Sequence, residues 1–295
     1  EYLDWDFERN KSYIWSITPY VFGPDAEFTI RNATGYERTA SFHSSFYYYL
    51  NPWNYPGPRL STQTWEEEKV GYVYIKSFWL DYIDMDYSVL MDYYRQVEDF
   101  DYLIFDIRGN SGGSTNYWYL SIVQPLLKHT GPVESYLAIR TSDYVNYFRE
   151  GKGLTNKIAK NGFAYLPSEV LSDDFDLYDF SYVINPVSSE INFNGKIILL
   201  TDKGVYSSAE AFAVFCKQTE FATIYGTATG GDGIGYDPVL FVLPNSKLVL
   251  RFPSVMGLDN TGHANEEVRT QPDVFYESAL GNFSELINYV RVNLP

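Results

Sequence analysis

Residues 196–216 constrain the fold of this chain more than any other stretch. Lys196–Thr201, KIILLT, is a short apolar run that reads as a buried strand. Asp202-Lys203-Gly204 follows as turn chemistry. Beyond it, in Val205–Cys216 (VYSSAEAFAVFC), Phe212, Ala213, Phe215 and Cys216 recur at helical spacing. The chain therefore runs strand, tight turn, helix, with Ser207 and Ser208 at the helix start. A serine there is the ordinary N-cap. It reads equally as a nucleophile, because a helix N-terminus offers free N–H groups and a positive dipole end to a developing oxyanion. Serine is weak unaided, so the second reading requires a base and a second oxyanion donor.

That donor has a candidate upstream. Tyr102–Ile107, YLIFDI, is another buried apolar strand, and it runs into Arg108-Gly109-Asn110-Ser111-Gly112-Gly113. Two adjacent glycines after a strand let the backbone approach a ligand and present N–H groups. A plain glycine turn would carry the same composition.

The two segments together, FDIRGNSGG and then YSSAEAFA behind a strand, resemble the C-terminal-processing (tail-specific) serine proteases. The matching residues are Asp106, Arg108, Asn110, Gly112 and Gly113, then Ser207 and Glu210. Gly226–Gly231 (GTATGG) and the closing Gln271-Pro272-Asp273 add a third and a fourth motif in the family's order, across about Val70–Tyr276. The resemblance implies an α/β fold, a ClpP/crotonase-like superhelix of strand–strand–helix units. It also implies Ser207 as nucleophile, with Ser208 and either Gly112 or Gly113 donating to the oxyanion and Glu210 supporting.

The base departs from the family pattern. Its lysine lies 25 residues after the serine, and that position holds Asp232. A carboxylate with a pKa near 4 is a poor acceptor of a serine proton at neutral pH. Lys217 and Lys247 do not occupy the matching loop. A branch resembling the tricorn core proteases uses serine, histidine and a glutamate six residues before the closing proline, which is Glu266 here. Its histidine lies N-terminal to the core. Of His43, His129 and His263, only His43 is upstream, and its SFHSSF context does not match the family's histidine motif. The expected source is a segment preceding Glu1. His129 reads as a helix-end residue and His263 as a surface residue.

The chain has 295 residues and 45% hydrophobic content, enough for one large core plus a smaller module. No apolar run is long enough to span a membrane. A chain opening at Glu1 reads as a mature or trimmed piece, which leaves room for a lipid anchor upstream. The net charge of −16 argues against nucleic acid and anionic lipid as partners. The single cysteine, Cys216, rules out an internal disulfide and a cysteine-based zinc site, and it reads as buried filler. No cofactor or metal is expected. The Asp-rich SDDFDLYDF segment lacks the glycine and spacing of an EF-hand loop and reads as a solvated acidic loop. The tyrosine-rich Phe46–Tyr49 reads as an amphipathic element, with a carbohydrate or peptide platform as the alternative.

Residues 1–68 read as a small β-rich N-terminal module and linker, too short for a full PDZ domain. Residues 69–295 read as the protease-like core, with 140–194 as an inserted subdomain. Strands are expected at Val70–Phe78, Val133–Ile139, Thr223–Tyr225, Leu240–Leu243 and Leu248–Phe252. Helices are expected over Asp84–Asp99, Thr115–Leu127 and Leu280–Val292. The function expected from the resemblance is a serine peptidase acting on unstructured or C-terminal protein segments, outside the cytoplasmic membrane, with its oligomeric state open. The alternatives are a catalytically silent relative that binds a peptide or apolar ligand, and an acyl-CoA enzyme of crotonase type.

Overall fold

The apolar runs become neighbouring strands. The computed structural model describes residues 3–6, 11–14, 25–31, 37–43, 58–279 and 282–294, and the chain divides into two units, Glu1–Pro56 and Gly57–Pro295. Among the described residues, the first unit holds two antiparallel strand pairs. One pairs β1 (Leu3–Asp6) with β2 (Lys11–Ile14), the other β3 (Asp25–Arg31) with β4 (Glu37–His43). The Phe46–Tyr49 run lies outside the described residues.

The second unit opens with β5 (Leu60–Trp65) antiparallel to β6 (Val70–Ile75), then α1 (Ile83–Gln96) and β7 (Tyr102–Asp106). The Ser114 hydroxyl accepts the Asn116 N–H at 3.2 Å and caps α2 (Thr115–Trp118). A π turn at Tyr119–Val123 leads into α3 (Gln124–Leu126). There follow β8 (Gly131–Val133), β9 (Tyr136–Arg140), α4 (Asp143–Gly151), β10 (Lys157–Ile158), β11 (Phe175–Asp179) and β12 (Tyr182–Ile184). Next come β13 (Lys196–Thr201), α5 (Ser208–Thr219) and β14 (Thr223–Gly226), then the hairpin β15 (Val239–Val242) and β16 (Val249–Phe252). The chain ends through β17 (Met256–Leu258), α6 (Asn265–Val268), β18 (Val274–Phe275) and α7 (Phe283–Val292).

The main sheet has the order β18-β14-β13-β7-β6-β5, parallel from β18 to β6. Its central strands are buried on both faces, which is why they read as continuous apolar runs rather than alternating ones. α1 turns Leu90, Met91, Tyr93 and Tyr94 into the core, and α5 turns in Phe212, Ala213, Phe215 and Cys216. Strand–strand–helix order recurs as β5-β6-α1, β8-β9-α4 and β12-β13-α5. The result is a mixed α/β core with a largely parallel sheet.

A second, antiparallel sheet has the order β10-β11-β9-β17, over a small cluster of Ala138, Val170, Leu177, Leu258 and Ala264. Here the sequence reading needs correction. Phe175–Asp179, expected as part of a solvated acidic loop, is strand β11 against β9. Its Leu177 and Tyr178 are buried, and Lys157 pairs with Asp176 across the strand edge. The run Val133–Ile139 is two strands rather than one, broken at Glu134 and Ser135 so that β8 and β9 serve different sheets.

Candidate active site

The ends of the parallel strands are held in register beyond the sheet itself. Past β6, Phe78 bridges to Gly113 beyond β7. Past β13, the Tyr206 N–H donates to Asn110 O at 3.1 Å on one side. On the other side Tyr206 bridges to Gly231 beyond β14, and the Ser207 N–H donates to Gly231 O at 3.1 Å. Ser207 thus lies between two glycine loops at the C-terminal edge of the sheet, where open parallel sheets place their ligands.

Ser207 takes φ 56° and ψ −123°, and its side chain makes no capping hydrogen bond although it holds the N-cap position of α5. A left-handed φ at a non-glycine residue is strained, and such strain concentrates at functional turns. A sharp strand–turn–helix junction is the geometry that presents the serine nucleophile in α/β-hydrolases. Of the two readings open at Ser207, the conformation disfavours the N-cap.

The upstream loop is built to approach this serine. Asp106 is fully buried and takes Arg108 as a two-pronged partner, Nε at 2.9 Å and Nη2 at 2.6 Å, and the Tyr72 hydroxyl at 2.8 Å. Arg108 Nη2 also reaches Phe283 O in α7 at 2.8 Å. Asn110 donates from Nδ2 to Ile75 O at 3.1 Å and accepts the Gly112 N–H on Oδ1 at 2.9 Å. A Cβ on Gly112 would fall 2.7 Å from Tyr206 O, 2.9 Å from Ser207 Cβ and 2.9 Å from Ser208 N, at φ +100°. Any side chain there would force the loop and the serine turn apart.

This corrects one sequence expectation. The Gly112 N–H is already engaged by Asn110, so Gly112 acts through close packing rather than as an open donor. The bridge at Gly113 runs from Phe78 N to Gly112 O and from Ser114 N to Phe78 O, and it leaves the Gly113 N–H out.

Asp202 joins the same loops. Its Oδ1 accepts the Gly109 N–H at 2.8 Å and the Gly204 N–H at 2.9 Å. Burial pushes its carboxyl up to about 6, against the pull of these donors and of Arg108. A raised folded pKa gives stability that is fully present below the unfolded value near 4 and is lost as pH rises through about 6. Asp202→Asn keeps the accepting oxygen without the charge. Relative to that variant, the parent should lose up to about 3 kcal/mol between pH 4 and pH 7, read by urea unfolding. Parallel profiles across this window would refute the buried-charge account.

Two of the carboxylates beyond β14, Asp232 and Glu266, lie against the residues that flank Ser207. Asp232 is half-buried at φ 63° and faces the Tyr206 hydroxyl, and its carboxyl is raised by burial. Glu266 lies on α6, a short helix where the sequence suggested a polar loop, and it is raised by burial and then by the charge of Asp232. The Cα of Gly231 packs on Glu266, for a Cβ there would lie 3.1 Å from Glu266 Oε2. Glu266 and Ser207 thus share Gly231 as a neighbour. Glu210, fully buried on α5, accepts from Asn265 Nδ2 at 3.0 Å, Thr270 N at 3.0 Å and Thr270 Oγ1 at 2.8 Å on one oxygen. Asn265 and Thr270 escaped the sequence reading because no motif points to them.

The basic residues of the second unit weighed from sequence are engaged elsewhere in that unit. His263 stacks on Tyr165 with centroids 4.3 Å apart, and its Nδ1 meets Thr261 Oγ1 at 2.7 Å. His129 is exposed just before Gly131, which packs on Phe215 and Thr219 at the far end of α5, about 18 Å along the helix from Ser207. Lys217, near that same end, pairs with Asp273. Lys247 sits in the turn between β15 and β16. His43 closes β4 opposite Asp25, and its side chain lies outside the described residues. Cys216 is fully buried, and burial pushes its thiol up. Among the described residues no group of His, Cys, Asp and Glu is arranged to hold a metal ion, and no helix is long and apolar enough to cross a membrane.

The fold and site together define an α/β protein with a strained serine at a strand–turn–helix junction, between glycine loops at the edge of a parallel sheet. The chain belongs to peptidase family S41, whose family model matches residues 69–275. Among solved structures it is similar to a candidate peptidase from Parabacteroides merdae, at 17% identity and a TM-score of 0.55, over 95% of this chain and 80% of that one. It is also similar to mature CPAF in complex with lactacystin, at 16% identity and a TM-score of 0.56, over 91% and 67% of the respective chains. At this identity the likeness speaks to the fold. No curated protein sequence matches the chain.

Proposed function

We propose that this chain is a serine peptidase that cleaves unstructured or C-terminal protein segments through an acyl-enzyme at Ser207. The observation that carries the proposal is the uncapped, left-handed Ser207 at the start of α5, packed on Gly112. In the proposed reaction Ser207 Oγ attacks the scissile carbonyl carbon and its proton passes to a base. The tetrahedral oxyanion is met by the N–H groups of Ser208 and Gly113. Collapse breaks the C–N bond, the leaving amine takes up the proton, and water then hydrolyses the ester. Glu266 takes the place of the tricorn-like branch's carboxylate. The base is a histidine; within the chain His43 is the weaker candidate, and turnover by this chain alone is expected to be slow. Substrates are peptides or proteins, and the expected setting is extracytoplasmic.

A second reading has its own observation. Asp232 stands where the family's lysine would be and faces Tyr206 beside Ser207, which suits a silent relative that binds a peptide or apolar ligand without cleaving it. A fluorophosphonate probe separates the two. Labelling mapped to the peptide that contains Ser207, and lost in Ser207→Ala, is expected for the peptidase. Saturable peptide binding with no labelling would replace it with the silent relative.

A further inference from the structure

The inference concerns how the two carboxylates are held, and it rests on the peptidase reading of Ser207. Asn265 bridges two loops that sequence leaves unconnected. Its Oδ1 accepts the Gly233 N–H at 2.9 Å, and its Nδ2 donates to Glu210 Oε1 at 3.0 Å. Asn265 is buried, and Glu210 is fully so. Gly233 adjoins Asp232, and Asn265 adjoins Glu266, so one amide side chain ties both carboxylates to the helix that begins at Ser207. The Gly233 backbone is pressed on that helix, since a Cβ there would lie 2.4 Å from Glu210 Cγ and 2.7 Å from Ala211 N. Thr270 closes the other end, giving its N–H and hydroxyl to Glu210 while its carbonyl accepts the Thr229 N–H at 3.2 Å.

We propose that Asn265 is a positioning residue: seated on Glu210 and gripping Gly233, it fixes Asp232 and Glu266 in register with Ser207. On the Gly112 side Asn110 works in the same way, donating to Ile75 O and accepting the Gly112 N–H. At Asn265 the register depends on a group that donates on one side and accepts on the other, which an amide does and a carboxylate or an aliphatic side chain does not. Because the network is buried, losing one member leaves partners unsatisfied and frees both loops together.

The test uses the full chain with Asn265→Ala and Asn265→Asp. The isosteric aspartate keeps an acceptor for Gly233 but loses the donor to Glu210, and it remains informative if the alanine variant fails to fold. The direct readout is the titration of the Glu266 carboxyl by ¹³C NMR, assigned with Glu266→Gln. The charged and titratable groups facing Glu266 are Asp232, Arg269 and Glu210, and those facing Asp232 are Tyr206, Arg251 and Asp237. In the parent, Glu266 should titrate above the ordinary glutamate range. In a folded variant it should return toward that range as Glu266 gains solvent and Asp232 moves away. Fluorophosphonate labelling of Ser207 should slow about 10²-fold, the usual cost of an ångström-scale misplacement. A lower melting temperature with an unchanged Glu266 titration and unchanged labelling would overturn the proposal. If the parent itself does not label, the peptidase reading fails, and the Glu266 titration alone decides whether Asn265 holds the loops.

Discussion

Gly112→Ala should leave a folded protein whose Ser207 is at least about 10²-fold less reactive toward a fluorophosphonate. The added methyl meets backbone on the facing turn, 2.7 Å from Tyr206 O and 2.9 Å from Ser208 N, and it meets Ser207 Cβ at 2.9 Å. None of these is the far end of a flexible side chain, so the loop itself must move. The φ of +100° adds strain for any L residue. Yet the loop is tethered at both ends, by Asn110 to Ile75 O and by the Phe78 bridge to the next strand, so relief comes by displacing Ser207 and Gly113 from each other. Removing one oxyanion donor typically costs 10² to 10³ in rate, and this substitution disturbs the nucleophile as well. Far-UV circular dichroism and a thermal melt establish that the variant is folded. Labelling within about threefold of the parent would mean that the glycine loop is a packing feature with no part in the chemistry.

The contrast between Gly112 and Asn265 shows what the sequence could and could not display. The buried strands β6, β7 and β13 and the helices α1 and α5 were legible because each is a local pattern, an apolar run or a 3.6-residue period. Gly112, Gly113, Ser207 and Glu210 were legible because each sits in a short motif attached to one of those elements. Glu266 followed from a fixed offset to Pro272, but its helix did not, since four residues carry almost no periodic signal. Asn265 and Thr270 are buried polar residues whose meaning lies in Glu210, 55 and 60 positions away. A single sequence holds no mark of such a pairing. The acidic stretch around Phe175 was misread for a related reason. Its aspartates suggested solvent, while the β9 partner that buries Leu177 and Tyr178 lies more than thirty residues upstream.

Ser207 also needs a proton acceptor, and the second large effect concerns that group. The candidates seen in the second unit do not serve. His263 is held by Tyr165 and Thr261, His129 lies near the far end of α5, and the Asp232 carboxylate faces the Tyr206 hydroxyl. A positioned general base is worth roughly 10² to 10⁴-fold, so its presence or absence decides whether the chain turns over. The expected result is slow hydrolysis of a p-nitrophenyl ester and of an unstructured protein by this chain alone, accelerated by added imidazole in a saturable way. That acceleration should vanish in Ser207→Ala, which shows that imidazole acts through the serine and not on the ester directly. Its dependence on pH should follow imidazole itself, rising through about pH 7, because the neutral form is the acceptor. Asp232→Asn should retain the rescue, since that carboxylate is assigned no proton-accepting role. Fast turnover without imidazole that His43→Ala abolishes would instead place the base on β4 of the first unit, and rescue of that variant by imidazole would confirm the assignment. Absence of turnover with imidazole present, together with an unlabelled Ser207, would leave the silent, ligand-binding relative as the reading to pursue.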